Sequence, residues 1–140
     1  MSGDFSSTDV LSFVKDWLSF DPSSRVGGPR HYAAATQLTL QLHFDPFAAW
    51  LLVGLIASST ANPALLAHLG AGPIEDLLSN DGSHFGPLIA SEARKNSSIR
   101  AAVSSVWLCR HDVSPPVLAA LQAAVPGFRC LEACSCDESA

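Results

Sequence analysis

The sequence predicts an all-α fold, a compact single-domain bundle of about six to eight short helices, on three observations. The first is length, because 140 residues fit one domain of about 100–200 residues. The second is composition, since 48% hydrophobic and 15% charged residues supply the apolar surface that a core requires. The third is a recurring pair of residues, in which a capping side chain precedes a proline at the first helical position. These pairs are Asp45-Pro46, Asn62-Pro63 and Ser114-Pro115.

The N-terminal half is predicted to hold four helices. Thr8 caps the first, whose apolar residues form one broad stripe. After a loop at 21–30 that is rich in Pro and Gly, the apolar positions of 31–44 fit a helix but also alternate as in a strand. We favour the helix, because a strand among helices has no partner for its backbone groups. Residues 47–58 are apolar almost all round, which is typical of the central helix of a bundle, and 63–69 form a short helix that ends at Gly70.

The C-terminal half is predicted to hold four more helices, and no strand is predicted with confidence. Asp81-Gly82 is expected to form a turn between two of them. All three tryptophans, Trp17, Trp50 and Trp107, fall on apolar stripes and are predicted to lie in the core. The expected organisation is a flexible N-terminus at 1–7, a helical domain at 8–126 and a mobile, Cys-containing tail at 127–140. The predicted helices in this half are 73–80, 85–95, 99–109 and 115–124.

Charge and apolar run length exclude several classes of protein. Eight Lys and Arg against 13 Asp and Glu give a net charge of −5, which disfavours binding to a phosphate backbone. The longest apolar run, 47–57, is shorter than the roughly 20 residues of a membrane span. The first twenty residues lack the basic segment of a signal peptide, and the four cysteines are not spread like a secreted disulfide framework. We therefore expect a cytoplasmic protein that binds neither nucleic acid nor membrane.

The most distinctive motif is AGPIEDLL at 71–78. Together with eight residues downstream of it, this motif resembles an uncharacterised bacterial family that is built around Gly-Pro-Leu-Glu-Asp-Leu-Leu. The resemblance covers about residues 9–126 of this chain. Gly86-Pro87 departs from the ordinary helix formers of that family, and the Cys-containing tail has no counterpart in it. The resemblance implies a small helical bacterial protein of unestablished role and supplies no catalytic residues. The downstream residues are Gly82, Phe85, Ile89, Glu92, Ala93, Arg100, Val106 and Trp107.

Glu75 and Asp76 lie in the first turn of the helix predicted at 73–80. Carboxylates there stabilise a helix through its dipole, by about 0.3–1 kcal/mol, and this structural role is the favoured interpretation. Contact with a partner protein is the second interpretation. Acid–base catalysis by the two together is disfavoured, because adjacent residues of a helix point about 100° apart.

Metal binding is a weak hypothesis for this chain, and no cofactor is predicted. Cys130, Cys134 and Cys136 could bind zinc with Cys109 or His111, but their spacing is not the paired C-x2-C pattern of strong zinc motifs. Free or adventitiously oxidised thiols are favoured instead. The histidines occur one per segment, so surface and capping positions are expected for them. They are His31, His43, His68, His84 and His111.

Three functions are compatible with this sequence. The favoured one is a protein-binding module, an immunity or antitoxin protein that occludes the basic active site of a bacterial toxin. The alternative is a structural or adaptor domain that binds a larger complex, or a second copy, through an apolar helix face. A small enzyme using Glu75 and His84 ranks third, because no catalytic motif occurs and no catalytic residue is assigned. The candidate contacts for a partner are Glu75, Asp76, Asp81, Glu92 and Asp112.

Overall fold

A computed structural model describes residues 7–23, 28–109 and 112–131, and it confirms the predicted all-α class. Within these residues there are seven α-helices and one pair of short strands. A wide, π-helical turn at Gly70–Ile74 joins α4 to α5. The elements are α1 Ser7–Trp17, α2 Pro29–Phe44, α3 Pro46–Ser58, α4 Pro63–Leu69, α5 Glu75–Lys95, α6 Ser97–Val103, β1 Trp107–Cys109, α7 Pro115–Ala124 and β2 Arg129–Leu131.

The helix starts predicted from the capping pairs are confirmed. The Asp45 side chain accepts a hydrogen bond from the Ala48 N–H at 3.1 Å, and α3 begins at the proline between them. Asn62 accepts from the Ala64 N–H at 2.9 Å in the same way at the start of α4. At α7 the proline alone marks the start, because the Ser114 side chain makes no capping hydrogen bond. Local sequence therefore determines where these helices begin.

The break predicted at Asp81-Gly82 is confirmed in place, but it is shorter than a turn between two separate helices. Asp81 alone has non-helical dihedral angles, φ −152° and ψ 61°, and α5 continues directly beyond it. Gly86 and Pro87 lie inside this continuation. A Cβ at Gly86 would collide with the Val117 side chain of α7, so glycine permits the close approach of α5 and α7.

The prediction of a helix at 99–109 is wrong beyond Val103. Residues of β1 pair in parallel with β2, with Leu108 opposite Cys130, and α7 forms the crossover between the two strands. The partner strand β2 comes from the segment 127–140, which the sequence predicts to be a mobile tail. Trp107 is consequently 49% exposed, so its predicted place in the core is wrong, whereas Trp17 is 1% exposed. Trp50 is partly buried against the core.

One core joins residues of all seven helices, and its largest buried side chains include Trp17, Phe85, Leu38 and Ile56. At Gly70, next to this core, a Cβ would overlap the main chain of Ala102, so α4 and α6 approach each other where a side chain cannot fit. The interpretation of α3 as a fully surrounded central helix is wrong, because one of its faces is exposed. No described helix is both long enough and apolar enough to cross a membrane.

Candidate functional site

Glu75 lies at the first turn of α5 and binds the main chain of β1. Its Oε1 accepts a hydrogen bond from the Trp107 N–H at 2.9 Å, across 32 residues of sequence. The carboxylate thus holds in place the first residue of a strand that is only three residues long. This contact supports the structural interpretation of Glu75 and adds a tertiary role to the expected effect on the helix dipole.

Three more of the candidate acidic residues have partners within the chain, and one of them, Asp81, accepts from the Ser83 hydroxyl at 3.4 Å. The Asp112 Oδ2 accepts from the Cys109 N–H at 3.2 Å, which closes the turn after β1. Glu92 lies 3.7 Å from the Lys95 ammonium and accepts from the Asn96 side-chain amide at 3.4 Å. These contacts take up part of the hydrogen-bonding capacity that a partner protein would otherwise use.

Asp76 and Asp81 are the two candidate residues that the structure brings into one cleft, of about 220 Å³, between α5 and the α2–α3 junction. Burial raises the pKa of Asp76, and the nearby His43 opposes this shift. Since small-molecule sites usually measure about 300–1,000 Å³, the cleft is better matched to a single inserted side chain. Its lining residues are Leu42, His43, Pro46, Asp76, Leu77, Asn80, Asp81 and Phe85.

Glu75 and His84, the residues of the enzyme hypothesis, are not brought together. The Glu75 carboxylate binds the Trp107 N–H, while the exposed His84 ring lies edge-on against Phe85, with ring centroids 4.9 Å apart. The geometry that would make these two residues an acid–base pair is therefore not present.

Cys109, at the end of β1, is disulfide-bonded, so of the free or oxidised states expected for the cysteines it takes the oxidised one. A sulfur in a disulfide has no thiolate to offer zinc. His111, Cys134 and Cys136, and the side chain of Cys130, lie outside the described residues. Among the described residues, no group of three or more His, Cys, Asp or Glu could hold a metal ion.

His31 and His68 meet at the edge of the core, and the burial of His31 contradicts the surface or capping position expected for it. Their Nε2 atoms are 3.3 Å apart, and His31 is 5% exposed. Phe20 stacks on the His68 ring with centroids 4.1 Å apart, and Trp17 packs against both imidazoles. No spacing rule could have found this His31–His68 pair, because 37 residues separate its members and each lies on a different helix.

An apolar surface that the sequence analysis did not locate covers the outer sides of α2 and α3. It consists of Leu40 and Phe44 on α2 and of Phe47, Leu51 and Leu55 on α3, and we call it the α2–α3 face. The buried residues of each helix lie on its opposite side, and the two helices pack against each other. Phe44 is 83% exposed, and Asp45 is the one Asp, Glu, Lys or Arg in residues 31–74. This surface is therefore apolar and almost without charge.

Comparison with known proteins identifies a family but no characterised relative. A model described as a family of unknown function (DUF6869) matches residues 26–126, which include the α2–α3 face, the acidic cleft and the His31–His68 pair. No curated protein and no solved structure matches the chain.

Proposed function

We propose a protein-binding role for this chain, which belongs to the family of unknown function DUF6869. The observation that carries the proposal is the α2–α3 face, where two helices that pack against each other expose five large apolar side chains. Scattered exposed apolar residues are ordinary on a protein surface, but contiguous ones mark interaction sites. Phe44 and Phe47 are the natural anchors, since a few aromatic side chains carry most of the binding energy of an interface.

The acidic cleft adds charge recognition at one end of this face. His43 and Pro46 line the cleft, and they are the immediate neighbours in sequence of Phe44 and Phe47. A basic side chain of the partner could enter the cleft between Asp76 and Asp81 while apolar residues of the partner cover the α2–α3 face. The partner we propose is thus a protein surface that combines apolar residues with a Lys or Arg.

An immunity protein or antitoxin is the specific form of this function that we propose. Toxins that act on nucleic acids are basic around their active sites. The acidic cleft would bind one basic side chain of the toxin, while the α2–α3 face would cover the toxin surface around that side chain. The adaptor or dimer alternative uses the same face without the cleft. Salt distinguishes the two, because an electrostatically steered inhibitor associates more slowly at higher ionic strength, whereas an apolar contact responds little.

We also propose that the protein acts in the cytoplasm, because its four cysteines are not spread like those of a secreted disulfide framework. The disulfide at Cys109 opposes this proposal, since disulfides persist mainly in oxidising compartments.

The proposal is tested by isolating the partner and then measuring its affinity for matched variants. The tagged chain is used for capture from the source organism, and the captured protein is purified and titrated against wild type, Phe44→Asp and Leu51→Asp. Leu11→Asp is the matched control, because Leu11 is equally apolar and 71% exposed but lies on α1. We expect both face variants to weaken binding at least about 30-fold, the equivalent of a 2 kcal/mol anchor, and the control to leave it unchanged. Equal affinity for all four proteins would refute the proposed surface.

Two further measurements separate the alternatives. Asp76→Asn and Asp81→Asn should slow association with a basic partner, and they should not affect an apolar one. Light scattering of the purified chain reports self-association, and a dimer that Phe44→Asp dissociates would assign the α2–α3 face to a second copy instead of a toxin.

A further inference from the structure

We propose that the His31–His68 pair is a binding site for one zinc ion, held by the two Nε2 atoms and completed by water. The inference is independent of the proposed protein-binding function. It rests on the separation of the two nitrogens, on the hydrogen bond that fixes His31, and on the aromatic rings that orient both imidazoles.

The separation of the nitrogens matches a tetrahedral ion. Zinc binds histidine nitrogen at about 2.0–2.1 Å, so two such ligands at the tetrahedral angle lie about 3.3–3.4 Å apart. The His31 and His68 Nε2 atoms are 3.3 Å apart. An ion could therefore replace the proton shared between them with little movement of either ring.

His31 is held in the tautomer that a metal ligand requires. Its Nδ1 lies 2.6 Å from the Trp17 carbonyl oxygen, and a carbonyl can only accept, so Nδ1 carries the proton. In the neutral ring Nε2 then presents its lone pair toward His68. Metal-binding histidines commonly donate their second N–H to a backbone carbonyl in this way, which fixes the ring orientation.

His68 completes the pair from α4. Phe20 stacks on the face of the ring at an interplanar angle of 4°, which leaves the ring edge that carries Nε2 uncovered by this contact. Without metal, the His68 Nε2–H donates to His31; on binding, that proton moves to Nδ1 of His68, and the ring stays neutral.

The surroundings favour an ion that prefers nitrogen. Asp16 and Arg30, the sequence neighbours of Trp17 and His31, form an ion pair at 2.8 Å, so their charges are already compensated. Imidazole suits zinc and copper, whereas magnesium and calcium require oxygen ligands. With two protein ligands the remaining positions stay open, as in sites that exchange their ligands.

The test titrates Zn²⁺, and Co²⁺ as a spectroscopic probe, into the untagged full chain by calorimetry and absorption. We expect one ion per chain and tetrahedral Co²⁺ bands without a thiolate charge-transfer band. His68→Ala and His31→Gln should each weaken binding at least about tenfold, and His84→Ala, which removes an exposed imidazole, should not. Zn²⁺ should also raise the melting temperature of wild type but not of His68→Ala.

A second measurement on wild type keeps the test decisive if a histidine variant does not fold. The imidazole NMR signals of His31 and His68 should shift with Zn²⁺, and the His84 signal should not. Absence of saturable binding, a thiolate band on Co²⁺, or shifts confined to other histidines would each overturn the site.

Discussion

Replacing Glu75 with Ala tests whether this carboxylate serves the fold or a partner. The substitution leaves the Trp107 N–H without its acceptor at 2.9 Å and removes a negative charge from the first turn of α5. A hydrogen bond to a charged group contributes about 1.5–3 kcal/mol, and the lower end applies because Glu75 is partly exposed. The dipole adds about 0.3–1 kcal/mol. We therefore expect the free energy of unfolding to fall by about 2 kcal/mol.

Thermal and urea denaturation provide the assay for this change. Unfolding entropy is about 2.1 cal/mol/K per residue, or about 0.3 kcal/mol/K for this chain, so the melting temperature should fall by about 7 °C. Hydrogen exchange adds a local signal, because the Trp107 amide should lose protection first. Glu75→Gln keeps an acceptor oxygen, and it should lose about half as much stability.

Asp76→Ala is the matched control for Glu75→Ala. Asp76 is the next residue in the same helical turn, but among the described residues no backbone N–H from another element donates to it. Its favourable interaction with the helix dipole is opposed by the burial that raises its pKa, so removing it should change stability by less than about 0.5 kcal/mol. Glu75 does not hold β1 in place if Glu75→Ala and Asp76→Ala have the same melting temperature. The same conclusion follows if Glu75→Ala leaves the hydrogen-exchange rate of the Trp107 amide unchanged.

Three further predictions follow from the packing, the titration of Asp76 and the disulfide. Gly70→Ala should lower the free energy of unfolding, measured by urea denaturation, by about 1–3 kcal/mol, because the new Cβ would overlap the Ala102 main chain. Gly72→Ala is the control: a Cβ there has open space, so the substitution should be neutral or stabilising. Asp76→Asn should raise stability slightly at pH 7, because burial in the folded state raises the pKa of this carboxyl above its ordinary 3.8 and so disfavours its charged form. The gain should be small, because solvent screens the charge of this exposed residue. The gain should disappear as the pH falls through the raised pKa, since the wild-type carboxyl is then protonated, and a gain that persists at pH 3 would contradict this. Finally, Cys109 should resist alkylation in the unfolded, unreduced chain and should react after reduction. Mass spectrometry of the peptide that contains Cys109 measures this, and alkylation without reductant would contradict the disulfide.

Helix starts were predictable because they depend on neighbouring residues. Asp45 and Asn62 accept hydrogen bonds from N–H groups two or three residues ahead, and proline excludes alternatives at the next position. Membership in a family of unknown function was also predicted, whereas the Gly-Pro-Leu-Glu-Asp-Leu-Leu motif and the bacterial origin stay predictions.

The features that sequence reasoning missed depend on distant partners. β1 forms because β2 supplies its hydrogen bonds from 22 residues further on, and no local pattern around Trp107 reveals that partner. The His31–His68 pair likewise joins two helices that only the fold brings together. For α3, the all-round apolar pattern predicted a central helix, but the pattern could not show that the rest of the chain leaves one side of α3 exposed.

The β1–α7–β2 unit also bears on where the independently folding part of the chain ends. The family match stops at residue 126, three residues before β2 begins. A polypeptide shortened to residues 26–126 would keep every helix of the core except α1. It would lack β2, however, so the backbone groups of Trp107–Cys109 that pair with β2 would be left as an open strand edge. Open edges recruit strands from other molecules, so such a fragment should precipitate or form oligomers more readily than the intact chain.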